Sequence, residues 1–180
     1  WTYNTSGGNW GKNYMLNAKT AMRAFGQNNI EEAAYLDGII DANKDTLNAA
    51  KNNYMLVFKK GKLPPAQAFW SITLYNDKNF FFENPLNRYA IQDKTDGLKY
   101  NKDGSLTMFF QENPPKGWEG NWLPAPKGKF LLHMRIYNPS KSFFDGTWAP
   151  PALEKYSGDY IDNTIAEKPT KKVVAKKKKK

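Results

Sequence analysis

Apolar residues recur along this chain with two different periods. Over residues 14–25 (YMLNAKTAMRAF), Tyr14, Leu16, Ala18, Ala21, Met22 and Phe25 fall near helical spacing and Gly26 supplies a stop, which predicts one amphipathic helix. Residues 33–40 form a short apolar run, predicted as a strand leading into the polar stretch 41–53. From Tyr54 the period becomes two. Residues 54–58 (YMLVF) predict a strand closed by the turn Lys59-Lys60-Gly61, and Leu63-Pro64-Pro65 predicts an edge or loop, because proline donates no ladder hydrogen bond. Residues 69–75 (FWSITLY) alternate: Trp70, Ile72 and Leu74 point one way, Phe69, Ser71, Thr73 and Tyr75 the other. Asn76-Asp77-Lys78-Asn79 is a turn before Phe80-Phe81-Phe82. Residues 98–100 and 105–111 flank Asn101-Lys102-Asp103-Gly104, a hairpin pattern in which Gly104 takes the positive φ. Residues 130–137 (FLLHMRIY) put Phe130, Leu132, Met134 and Ile136 on a core face, and Pro139 ends the strand.

Many short strands with turn residues between them and one early helix predict an all-β chain with one or two short helices: a jelly-roll-like antiparallel β-sandwich. The sandwich is expected over residues 1–155. Hydrophobic density falls from Tyr156 onward, so residues 156–180 are expected to be an extended, Lys-rich tail. Phe, Tyr and Trp make up 15% of the 180 residues, enough for aromatic rings to dominate one core.

Charge changes this picture by its position. The net charge is +10, yet residues 166–180 hold eight lysines and one glutamate, a net +7, leaving +3 on the other 165 residues. The body is nearly neutral and the basic character belongs to the tail. Lys171, Lys172, Lys176, Lys177, Lys178, Lys179 and Lys180 are therefore the candidate contacts to a polyanion, by phosphate neutralisation without sequence readout. No aromatic residue interrupts them, so stacking on bases is not indicated. There is no apolar run of about 18 residues, which excludes a membrane-spanning helix. The chain has no cysteine, which excludes disulfides, thiol nucleophiles and thiolate zinc sites. Trp1 is read as a processed or truncated end, and an assembly-associated (virion) or a secreted or periplasmic setting is consistent with that reading.

Four segments carry a resemblance: YMLVFKKGKLPPAQAFWSITLY (54–75), NPLNRYAIQDKTDGLKYNKDGSL (84–106), NWLPAPKGKFLLHMRIYNP (121–139) and DGTWAPP (145–151). Together they resemble the domain of unknown function 1214, over residues 3–151. That domain usually forms the C-terminal half of proteins whose N-terminal half is the companion family 1254. The resemblance implies a jelly-roll-like sandwich and no particular activity; the Lys-rich tail is not a usual part of the family.

Candidate chemistry is sparse. His133 is the only histidine, so any histidine base must be this one; it falls on the non-core face with Leu131, Arg135 and Tyr137, where a carboxylate such as Asp145 is a candidate partner. Arg135 sits mid-strand, where an unpaired charge is costly, so a carboxylate partner is expected. Asp41-x-Asn43-x-Asp45 matches the opening of a calcium loop, but Thr46 replaces the required glycine and Asn52 the bidentate glutamate; a polar turn is expected, with no metal. Glu83, Asp93, Asp96, Asp103, Glu112 and Glu119 lie mostly beside Gly, Pro or Asn, as turn residues do, and no pair stands out for glycoside chemistry.

Tyr75, Trp118, Trp122, Tyr137 and Trp148 fall at strand ends or in loops, where rings stack on sugars, anchor a protein interface, or plug the ends of the sandwich. With Asn121, His133 and Arg135 they form the candidate binding set. The expected function is a non-catalytic structural or interaction module, part of a larger assembly such as a viral coat, with other protein subunits as partners and no cofactor. The alternative is a carbohydrate-binding or glycan-processing domain that uses the rim aromatics.

Overall fold

The alternating stretches become strands in the computed structural model, which describes residues 1–4, 8, 10–23, 27–157 and 165–166. In chain order the elements are β1 (Thr2–Tyr3), α1 (Tyr14–Arg23), β2 (Ala33–Gly38), β3 (Asn53–Phe58), β4 (Trp70–Asn76), β5 (Ala90–Gln92), β6 (Tyr100–Asn101), β7 (Leu106–Gln111), β8 (Trp122–Pro124), β9 (Phe130–Tyr137), α2 (Lys141–Phe144), β10 (Leu153–Tyr156) and β11 (Ile165–Ala166). One sheet has five strands in the order β1-β2-β9-β4-β5, the other four in the order β10-β3-β7-β8, and β6 pairs with β11. No helix among the described residues is long and apolar enough to cross a membrane.

The two sheets bury one shared core. Leu36, Ile72, Leu74, Leu132, Met134 and Ile136 come from the first sheet, and Tyr54, Leu56, Phe58, Leu106, Met108 and Phe110 from the second, all in one cluster. The sandwich is therefore as expected, down to the alternation on β4 and β9. Pairing is antiparallel in both sheets except where β7 and β8 run parallel, a mixed edge in place of the all-antiparallel pattern expected. The predicted hairpin forms: Gly104 has φ +81°, and Asn101 N–H donates to the Ser105 carbonyl at 2.9 Å.

Two features differ from expectation, the burial of the helix and the boundary at residue 155. Helix α1 forms, but none of residues 14–22 is buried, because the core closes between the sheets without it. Phe80-Phe81-Phe82 is loop, organised by Asn84, whose side chain bonds Phe82 O and Arg88 O and accepts from Leu86 N and Arg88 N. The body also continues past residue 155: Tyr156 completes β10 against β3, and Ile165–Ala166 pairs with β6. Lys171, Lys172 and Lys176 to Lys180 lie outside the described residues.

The four-stranded sheet carries a second aromatic cluster on its far face, where Phe109, Trp118 and Trp122 pack with Met55 and Tyr156. Burial pushes the Tyr156 hydroxyl up to about 12. Beneath these rings Asn121, fully buried, acts as a polar rivet. Its Oδ1 accepts Lys99 N–H at 2.8 Å, and its Nδ2 donates to Lys99 O at 2.8 Å and Thr107 O at 2.7 Å. Gly120 is required beside it, since a Cβ there would lie 1.9 Å from the Gly97 carbonyl oxygen. At the other end Trp1 lies over Gly38 and donates to Pro151 O at 2.7 Å, which fastens the edge strand β1.

The calcium-like spacing is a turn clamped by a lysine. Asp41 Oδ1 accepts Asn43 N–H at 2.9 Å and Asp45 N–H at 3.0 Å, while Lys155 Nζ lies 3.2 Å from Asp41 Oδ2 and 2.5 Å from Asp45 Oδ2. The ammonium sits where a cation would, and ties β10 to this turn.

Two expectations follow from these anchors. Asn121→Ala strands three backbone groups and should lower stability by about 3 kcal/mol in urea denaturation; a loss under about 1 kcal/mol would show that the rivet is dispensable. For Asp41, burial works against the charged form, but the Asp45 N–H, Lys155 and the Asn43 N–H outweigh it and hold the carboxyl below its usual range. Its contribution is thus complete above the ordinary carboxylate range and lost as pH falls through the depressed folded value. Asp41→Asn should flatten the acid limb of a stability-against-pH curve and leave its slope near neutrality unchanged.

Candidate functional site

The alternation that sends Ile72, Leu74, Met134 and Ile136 inward sends their neighbours to the outer face of the five-stranded sheet. Register then places side chains in rows across it. Asp37, His133, Thr73 and Ala90 form one row; Tyr35, Arg135, Ser71 and Gln92 the next; Leu131 pairs with Tyr75 beyond. Ser71 and Thr73 are small and lie buried under their longer neighbours.

His133 and Arg135 reach in opposite directions from β9. His133 Nδ1 meets Asp37 Oδ1 on β2. Arg135 Nη1 donates to Thr73 Oγ1 at 2.9 Å and Nη2 to the Tyr75 hydroxyl at 3.1 Å, both on β4. The Tyr75 ring stands edge-on to the His133 ring at 5.0 Å and stacks on Phe81 at 5.1 Å, and Phe81 meets Tyr89 at 4.8 Å. Tyr75, His133 and Arg135 of the expected set are thus brought together, joined by Asp37 and Thr73.

Two partner expectations are corrected. His133 pairs with Asp37 and not Asp145, whose Oδ1 accepts the Thr147 N–H at 3.0 Å and hydroxyl at 2.7 Å in the loop after α2. Arg135 has no carboxylate within ion-pair distance among the described residues, because Asp37, in the adjoining row, is engaged by His133.

The remaining members of the set lie elsewhere. Trp118, Trp122 and Trp148 are buried, not exposed at the rim. Trp122 Nε1 donates to Gln111 O at 2.9 Å and Trp148 Nε1 to Lys62 O at 3.0 Å, so each indole is buried with its one donor satisfied. Asn121 is the buried rivet. Tyr137 stacks on Phe69 at 4.2 Å at the far end of the outer face, apart from His133. Arg88 binds the carbonyls of Glu119 at 2.5 Å and Trp122 at 3.1 Å, holding the turn before β8. The surface carboxylates cap turns or pair with lysine: Asp103 accepts from Ser105, Glu119 from Gly117, and Glu112 meets Lys127.

Asp37 and Thr73 were not singled out from sequence. The one available signal for Asp37 was an acidic residue inside an apolar strand, which asks for a cross-strand partner.

A family model described as "Protein of unknown function (DUF1214)" matches residues 32–141. The chain belongs to this family. The DUF1214 segment contains both rows of the outer-face cluster. Among solved structures, the VPA0106 protein from Vibrio parahaemolyticus is similar with TM-score 0.65 and 28% identity, over 78% of this chain and 35% of that one. A putative uncharacterized protein from Burkholderia cenocepacia aligns with TM-score 0.43 and 13% identity, over 69% of this chain and 28% of that one. The chain thus spans about a third of the length of the Vibrio protein. A search of curated proteins finds no match.

Proposed function

We propose that this DUF1214 chain is a non-catalytic interaction module that packs against other copies or other protein subunits in a larger assembly. The observation that carries the reading is α1. Met15, Ala18 and Met22 form an apolar stripe at helical spacing, and Met15 and Met22 are 67% and 87% exposed. A helix of 10 residues is marginal by itself in water, and draws its stability from covering an apolar face. Tyr14, Phe80, Phe81, Leu86 and Phe144 are exposed as well, more large apolar side chains than the sandwich needs left outside its core. The similarity to about a third of a longer Vibrio chain fits a fold that builds onto further protein.

The outer-face cluster favours binding over catalysis. Thr73, the cross-strand neighbour of His133, has its oxygen bonded by Arg135, and among the described residues no hydroxyl is hydrogen-bonded to His133. A nucleophile and base in contact, the starting arrangement for hydroxyl activation, are not assembled there. The glycan alternative drew on the rim aromatics Tyr75, Trp118, Trp122, Tyr137 and Trp148, and the three tryptophans among them are buried. The Lys-rich segment adds, by its charge of +7, a salt-sensitive contact to a polyanion.

Sedimentation velocity across a range of concentrations is the test. The chain should associate as concentration rises, and Met15→Lys with Met22→Lys should return it to monomer without changing its thermal midpoint. A monomer at every concentration, or association indifferent to the two lysines, overturns the assembly reading.

A further inference from the structure

Among the described residues Arg135, in the outer-face cluster, has no counter-ion, and this leads to a ligand. Arg135 presents five N–H donors, two of which meet Thr73 and Tyr75. Both acceptors are neutral hydroxyls. Half-buried guanidinium groups are stabilised by carboxylates or phosphates that match their planar fork, and among the described residues no carboxylate takes that place. The Tyr75 hydroxyl, having accepted from Arg135, keeps its own hydrogen to donate.

Beside this donor group stands a second polar group. Asp37 engages Nδ1 of His133, which leaves Nε2 to meet an incoming hydroxyl. The Tyr75 ring joins the two halves, edge-on to His133 and bonded through its hydroxyl to Arg135. Phe81, stacked on Tyr75 and 54% exposed, adds an apolar flank.

We propose that this cluster binds a small hydroxylated carboxylate, of the chemistry of a uronic acid: the carboxylate on Arg135 and the Tyr75 hydroxyl, a ligand hydroxyl on His133 Nε2, and the ligand's apolar face against Phe81. The site includes no residue of α1.

Because His133 is the only histidine, its imidazole Hε1 proton gives one NMR resonance that reports directly on the site. The full chain is titrated at constant ionic strength with glucuronate, glucose and inorganic phosphate. Glucuronate should move the His133 resonance saturably, and glucose should not. Arg135→Gln should weaken glucuronate binding by about tenfold or more, while the dispersion of core methyl resonances stays that of the native chain. Tyr75→Phe, which keeps the ring and removes the hydroxyl, should weaken it less. No saturation with glucuronate, equal response to glucose, unchanged binding in Arg135→Gln, or tighter binding of phosphate than of glucuronate each overturns the proposal.

Discussion

Everything in this sandwich depends on the ladder between β4 and β9. These strands pair along the whole of β4, from Trp70 with Ile136 to Asn76 with Phe130, in the centre of the five-stranded sheet. Side chains on a strand alternate strictly, so one register decides two surfaces at once. The inner residues, Trp70, Ile72, Leu74, Leu132, Met134 and Ile136, meet the second sheet and form the core. The outer residues, Ser71, Thr73, Tyr75, His133 and Arg135, are thereby assembled into a polar face. A slip of one residue would bury the guanidinium and expose the core.

The ends of the sandwich are closed by polar groups paired with backbone as much as by apolar packing. Asn121 joins Lys99 to Thr107, Arg88 gathers the carbonyls of Glu119 and Trp122, and the indoles of Trp1, Trp122 and Trp148 each donate to a backbone oxygen. Each device gives a backbone carbonyl or N–H a side-chain hydrogen-bond partner. This arrangement separates the aromatic residues by role. Trp118, Trp122 and Trp148 seal the body, while Phe81 near His133 is left at a surface, as Tyr14, Phe80 and Phe144 are elsewhere.

The strands were legible from sequence because alternation is a local property. Trp70, Ile72 and Leu74 announce β4, and Phe130 to Ile136 announce β9, with no knowledge of their partners. The polar site was legible only in part. His133, Arg135 and Tyr75 could be put on one face, but choosing Asp37 over Asp145 as the histidine's partner needs the β2–β9 register, which no local pattern carries. The same limit explains the tryptophans: a ring beside Pro or Gly reads as a rim residue until the contact that covers it is known. Strands β10 and β11 escaped notice because Leu153–Tyr156 and Ile165–Ala166 are too short to show a period, and exist through pairing with β3 and β6.

Two surfaces follow from one fold. The proposed protein partners would meet the stripe on α1, and the proposed small ligand the polar outer face of the five-stranded sheet. The account holds that β9 divides structure from binding residue by residue, and neighbours on that strand test it. Chemical denaturation of Ile136→Ala and Arg135→Gln compares an inner with an outer side chain. The inner change should cost about 2–5 kcal/mol, and the outer change less than about 1 kcal/mol, because the Thr73 and Tyr75 hydroxyls find new partners in water or glutamine. An outer loss as large as the inner one would make Arg135 a structural residue and contradict the account.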